Sequence, residues 1–146
     1  MRRRLFCIVP LWFFAAGCAP GDGPPLVASD IVAYAPLPGA RNAVAYMDLN
    51  NESDSAVTIT RVSSPDFASA EWHETTIENG ISRMVQLDDP VIDAGGSLLL
   101  QQGGKHLMLM EPTRPMAAGS TLTLRIAYDG DRLLELTTTL KDRTAP

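Results

Sequence analysis

The chain has 146 residues, 45% of them apolar and 20% charged, with 11 Gly, 11 Pro and two Cys, a size and composition suited to one globular domain. Its 12 basic residues stand against 17 acidic ones, for a net charge of -5, and after the first four positions they are scattered singly, which argues against nucleic acid as a partner. The charged fraction and balanced hydropathy argue equally against an intrinsically disordered chain and a multi-span membrane protein.

Residues 1–17 carry three arginines, an apolar run from Leu5 to Phe14 and then small residues, the layout of a secretory signal peptide. The run is shorter than the roughly 20 residues needed to cross a bilayer as a helix. Ala15-Ala16-Gly17-Cys18 resembles the bacterial lipobox, so Cys18 is expected to be acylated and to become the mature N-terminus, with Ala15 standing where the motif usually has Leu. Plain signal cleavage, the alternative, would leave Cys18 as an exposed thiol in an oxidising compartment. Loss of residues 1–17 removes three basic residues, no acidic ones and Cys7, so the exported portion is more acidic still. With Cys18 lipidated, it would also hold no thiolate ligand or nucleophile. Residues 18–25 then combine the lipidated cysteine with a flexible Pro/Gly tether, APGDGPP. The chain is thus expected to lie in the bacterial cell envelope, facing the periplasm and anchored to a membrane through lipid alone.

From residue 26 to residue 141 the chain shows brief runs with period-two alternation or β-branched enrichment, and no helix-length periodicity. Eight strands are expected: Ala43–Leu49, Ala56–Ser63, Ala70–Ile77, Ser82–Leu87, Ser97–Leu100, His106–Met110, Thr121–Tyr128 and Leu133–Leu140. These fit an all-β sandwich or barrel. Gly103-Gly104 and Asp129-Gly130 read as hairpin turns, and Asn79-Gly80 as a third reversal. Residues 142–146 are read as a C-terminal tail.

Both histidines, His73 and His106, fall in predicted strands near methionine. On Lys105-His106-Leu107-Met108-Leu109-Met110, strand alternation sets His106, Met108 and Met110 on one face and Leu107 and Leu109 on the other. If Asn79-Gly80 joins adjacent strands, His73 and Met84 could meet across the pair, giving a set of two imidazoles and two thioethers. Neutral thioether sulfur is a soft donor that prefers Cu(I) over Zn²⁺, Mg²⁺ or Ca²⁺, and it escapes the oxidation to which thiolates are exposed outside the cytoplasm. Taken singly, each methionine fits core packing better than ligation, and it is the joint pattern that points to copper. Trp72, Met47 and Met116 are assigned to packing, and Met110 is placed beside the site and outside the ligand set.

The spacing His73, ten residues, Met84, 21 residues, His106, one residue, Met108 matches the motif of the periplasmic copper chaperone family PCuAC. Flanking segments resemble it too: Ala43–Met47, Ser63-Ser64-Pro65, Glu78-Asn79-Gly80, Ala94-Gly95-Gly96 and Gly103–Met110, over about residues 26–140. The resemblance implies a cupredoxin-like Greek-key β-sandwich. It also implies a Cu(I) site of His73, Met84, His106 and Met108, with delivery to cytochrome c oxidase or to another copper chaperone. Two departures stand out: Thr75 occupies a position where many members carry methionine, and the chain ends LKDRTAP, without a His/Met-rich tail. A chaperone turns nothing over, so no enzymatic activity is expected.

A blue-copper electron-transfer role would need a Cys ligand, and no hydrolase motif is present. The principal rival is a lipid-anchored β-sandwich that binds another protein and holds no metal, its methionines serving the core. The sequon Asn51-Glu52-Ser53 receives no role.

Overall fold

The computed structural model describes residues 25–143, so the signal peptide, Cys18, nearly all of the tether and residues 144–146 lie outside the described residues. Ten strands are present: β1 Leu26–Tyr34, β2 Asn42–Asn51, β3 Val57–Ser63, β4 Phe67–Glu78, β5 Ile81–Gln86, β6 Val91–Ile92, β7 Ser97–Leu100, β8 Lys105–Pro112, β9 Thr121–Tyr128 and β10 Arg132–Lys141. The eight expected from sequence all occur, with ends shifted by up to three residues.

The two additional strands have clear physical reasons for going unread. β1 is interrupted by a register shift between Ser29 and Val32, where Asp30 takes a φ of 51°. Asp tolerates that left-handed conformation better than most residues, and the bulge breaks the alternation on which strand recognition depends. β6 is two residues long, too short to show any period.

The strands follow one hydrogen-bonded path, β5-β4-β8-β2-β1-β10-β9-β3-β6, with β7 paired to β2 off this path. The β1–β10 pairing is parallel, and the other strand pairs described are antiparallel. The path wraps one core, to which β2, β4 and β8 contribute Met47, Leu49, Trp72, Leu107 and Leu109, and β3 and β9 contribute Ile59, Val62, Leu122, Leu124 and Ile126. Leu107 and Leu109 are wholly buried, each worth about 1.5–3 kcal/mol of apolar burial. Trp72, Met47 and Met116 are also buried in the core, as packing predicts.

Asn79-Gly80 and Asp129-Gly130 both have positive φ at the two central residues, the backbone that a two-residue hairpin turn of matching twist requires. They join β4 to β5 and β9 to β10. Gly103-Gly104 does not close a hairpin. β7 and β8 both run antiparallel to β2, β7 against Met47–Asn50 and β8 against Asn42–Ala45. The segment between them is therefore a tight detour, held by Gln101 N–H to Lys105 O at 2.8 Å, after which the chain continues in the same direction. A glycine pair marks a sharp turn but not which strand the next segment will pair with.

Candidate metal centre

The outer face of the β5-β4-β8-β2 region carries the candidate ligands, and register places them. His73 lies directly opposite His106 across the β4–β8 pair, and their ring centroids are 6.0 Å apart. One ion held by a nitrogen of each imidazole at about 2.0–2.1 Å would set the two centroids about 6 Å apart with the bonds roughly in line. Met108 is opposite Glu71, one diagonal step from His73, which a long side chain can span.

Met84 is placed differently. It lies opposite Thr75, whereas Gln86 faces His73, so Met84 and Met108 flank the histidine row on opposite sides. On ordinary sheet spacings their Cα atoms are about 16 Å apart. Met84 is thus also one diagonal step from His73, but it lies on an edge strand, 53% exposed, and two strands away from His106, whereas Met108 is two residues from His106 on β8. Met110 faces Ser69 and Asn42, a further step along β8.

Burial is graded across this face. His106 is 5% exposed although it points away from the core, because it is walled by His73 on one side and by Tyr46, at a centroid distance of 6.4 Å, on the other. His73 is half-buried, with 16% of its side chain exposed. Met84 is the exposed member of this face, while the imidazoles sit under their neighbours.

Hydrogen bonds define which nitrogens can act as donors to a metal. His106 Nδ1 is 2.9 Å from Gly104 O. A carbonyl only accepts, so Nδ1 carries the proton and the lone pair resides on Nε2. The same carbonyl accepts from Thr75 N–H at 3.1 Å, so the Gly-rich detour before β8 fixes the ring. His73 Nε2 is 3.0 Å from Glu71 Oε2, and its Nδ1 is buried with no hydrogen-bond partner. A buried polar atom without a partner is costly, and here it is a potential ligand nitrogen beside a second imidazole.

Glu71, Tyr46 and Gln86 went unread as members of this face. For Glu71 the signal was available, because two residues before His73 on a strand is the same face. Among the described residues no group of three or more His, Cys, Asp or Glu is arranged to hold a metal ion. Met108 and Met84 bring thioether sulfur to this face, a donor that favours a soft, low-valent metal.

Asn51 is 2% exposed and its side-chain amide donates to the carbonyls of Ser55, Ile92 and Asp93. The sequon is therefore a structural clip, its amide out of reach of modification.

The model of the LpqE-like lipoprotein family matches residues 26–139. The chain belongs to the LpqE-like family. Within the curated proteins it is similar to Lxx21020 of Leifsonia xyli subsp. xyli, 26% identical over 111 residues, covering 75% of this chain and 67% of the relative. It is also 26% identical over 89 residues to RP573 of Rickettsia prowazekii, of which it spans about half, 49%.

Among solved structures, the copper-bound PCuAC domain from PmoF2 superposes with a TM-score of 0.67 at 18% identity, covering 82% of this chain and 94% of that one. This likeness establishes the cupredoxin-like PCuAC fold. DR1885 from Deinococcus radiodurans, solved both without copper and with Cu(I), is nearer in sequence. The apo form is 28% identical, with a TM-score of 0.61 and coverage of 99% and 98%. The Cu(I) form is 29% identical, with a TM-score of 0.60 and 80% coverage of each chain.

Proposed function

We propose that this LpqE-like protein is an envelope copper chaperone. It takes Cu(I) as cargo between His73 and His106, with Met108 as the near thioether and Met84 as an outer one, and passes it on without catalysing a reaction. The observation that carries this reading is the pair of adjacent imidazoles, edge to face with ring centroids 6.0 Å apart, in which one ring holds a buried nitrogen with no partner. Support also comes from 29% identity to a protein solved with Cu(I) and from a fold shared with a copper-bound PCuAC domain.

Transfer proceeds by stepwise ligand exchange. An incoming donor meets Met84 first, on the exposed edge strand, and the more deeply set imidazoles release last. Two neutral nitrogens and neutral sulfurs leave the net charge of the ion uncompensated except by Glu71, which keeps the grip moderate and suits a carrier. The acceptor is cytochrome c oxidase during assembly of its copper centres, or a further copper chaperone, and the acidic character of the chain fits a partner with a basic docking patch. Acylation at Cys18 holds the domain at the membrane, facing the periplasm, in keeping with the lipoprotein character of the family.

Anaerobic Cu(I) titration against a chromophoric chelator tests the reading. The unmutated protein should retain one Cu(I), and the double variant His106→Ala with Met108→Leu should lose it. Equal retention by both would favour the metal-free interaction module. Metabolic labelling with a palmitate analogue should mark the unmutated chain and not Cys18→Ser.

A further inference from the structure

The two imidazoles are held in opposite tautomers by different partners, and Glu71 is responsible for one of them. We propose that Glu71 is a positioning residue that presents Nδ1 of His73 to Cu(I), while Gly104 O presents Nε2 of His106. This inference rests on the copper-binding reading above and extends it to the ligating atoms.

Glu71 and His73 are two residues apart on β4 and share its outer face, and Glu71 Oε2 lies 3.0 Å from His73 Nε2. A carboxylate accepts, so Nε2 carries the proton. The other nitrogen, Nδ1, is buried without a partner. Were the proton on Nδ1 instead, a buried donor would be stranded and the carboxylate would face a lone pair, two penalties for one ring. With the proton on Nε2 the carboxylate is satisfied and the buried lone pair on Nδ1 awaits a Lewis acid.

His106 is arranged the other way, its Nδ1 proton donated to Gly104 O at 2.9 Å, leaving Nε2. The pair therefore offers one Nδ1 and one Nε2. A carboxylate hydrogen-bonded to the far nitrogen of a ligating imidazole orients the ring and raises its basicity, and its loss typically costs 10–100-fold in metal affinity. Glu71 is also paired with Met108 across the β4–β8 ladder, so the same carboxylate stands on the face that carries the near thioether and would partly offset the charge of the ion.

Long-range ¹H–¹⁵N correlation spectra of the metal-free protein, together with Cu(I) affinities, test this. In the unmutated protein His73 should be the Nε2–H tautomer and His106 the Nδ1–H tautomer. Glu71→Leu should scramble the His73 tautomer, leave His106 unchanged and weaken Cu(I) binding about 10–100-fold. Glu71→Gln, whose side-chain oxygen can still accept, should fall between, and it serves as the test should the leucine variant fail to fold.

An Nδ1–H tautomer at His73 in the unmutated protein would overturn the proposal. So would a Glu71→Leu variant that keeps both the Nε2–H tautomer and full affinity, with copper binding itself left standing. Weakened binding with the tautomer unchanged would make Glu71 a direct ligand, and it too would overturn the positioning role. Failure of the unmutated protein to bind Cu(I) would overturn the copper reading, and with it the assignment of Nδ1 as a ligand.

Discussion

Met84 sits directly across from Thr75 in the β4–β5 hairpin, one step past the His73 row, while Met108 sits one step before it on β8. The two thioethers are each one diagonal step from His73 but differ in their access to His106, which shares β8 with Met108 and lies two strands from Met84. Met108→Leu should weaken Cu(I) binding at least tenfold, about 1.4 kcal/mol, and Met84→Leu by less. Thr75→Met, which places sulfur on the same face as His73, should tighten it. Chelator competition on the three variants checks the ranking, and a larger loss at Met84 than at Met108 would contradict this geometry.

Protons and Cu(I) compete for the lone pairs on His73 and His106, whereas methionine sulfur does not titrate. Metal binding requires neutral imidazole, so affinity should fall as the solution is made more acidic and level off on the alkaline side. Residual binding by a variant with both histidines changed to alanine should show no such slope. A Cu(I) affinity of the unmutated protein that does not fall on acidification would exclude histidine ligation.

Gly80 has a φ of +77°, and a Cβ built on it meets nothing within 4 Å. The cost of Gly80→Ala is therefore conformational alone, about 1–2 kcal/mol, and it falls on the hairpin that carries Met84. Faster amide exchange confined to β5, with the core amides unchanged, is the expected outcome. Any loss of copper affinity in this variant should resemble that of Met84→Leu.

Asn51 is a buried clip far along β2 from the imidazoles. Its amide donates to three carbonyls and its Oδ1 accepts from Ser53 N at 3.1 Å and Ser53 Oγ at 2.7 Å. Asn51→Ala should cost about 3 kcal/mol by stranding several of these groups, seen as a lower urea midpoint. Copper affinity should stay unchanged, which separates stability from site chemistry.

Much of this molecule is legible in residue order. Alternation alone puts Leu107 and Leu109 on one face of β8 and His106 and Met108 on the other; burial agrees for both leucines and for Met108, while His106 is covered by its neighbours on the outer face. The two-residue Asn79-Gly80 turn dictates that Glu78 meets Ile81 and, counting back, that His73 meets Gln86, so even the offset of Met84 was implicit in the turn. Local rules misread β1, where a bulge at Asp30 breaks the period, and the Gly103-Gly104 detour, because a turn carries no mark of the partner the next strand will choose.

What residue order determined by itself was therefore the strand faces, the β4–β5 register and the soft-donor inventory, since each depends on a period of two or on a turn a few residues long. Only the tertiary structure decided that β4 pairs with β8 so that His73 meets His106, because the backbone ladder that joins them is the same at every register. A slip of one residue would have turned His106 into the core and Leu107 out to solvent. The burial of Leu107, Leu109 and Trp72 on the inner face is what holds that register, and with it the two imidazoles on the outer one.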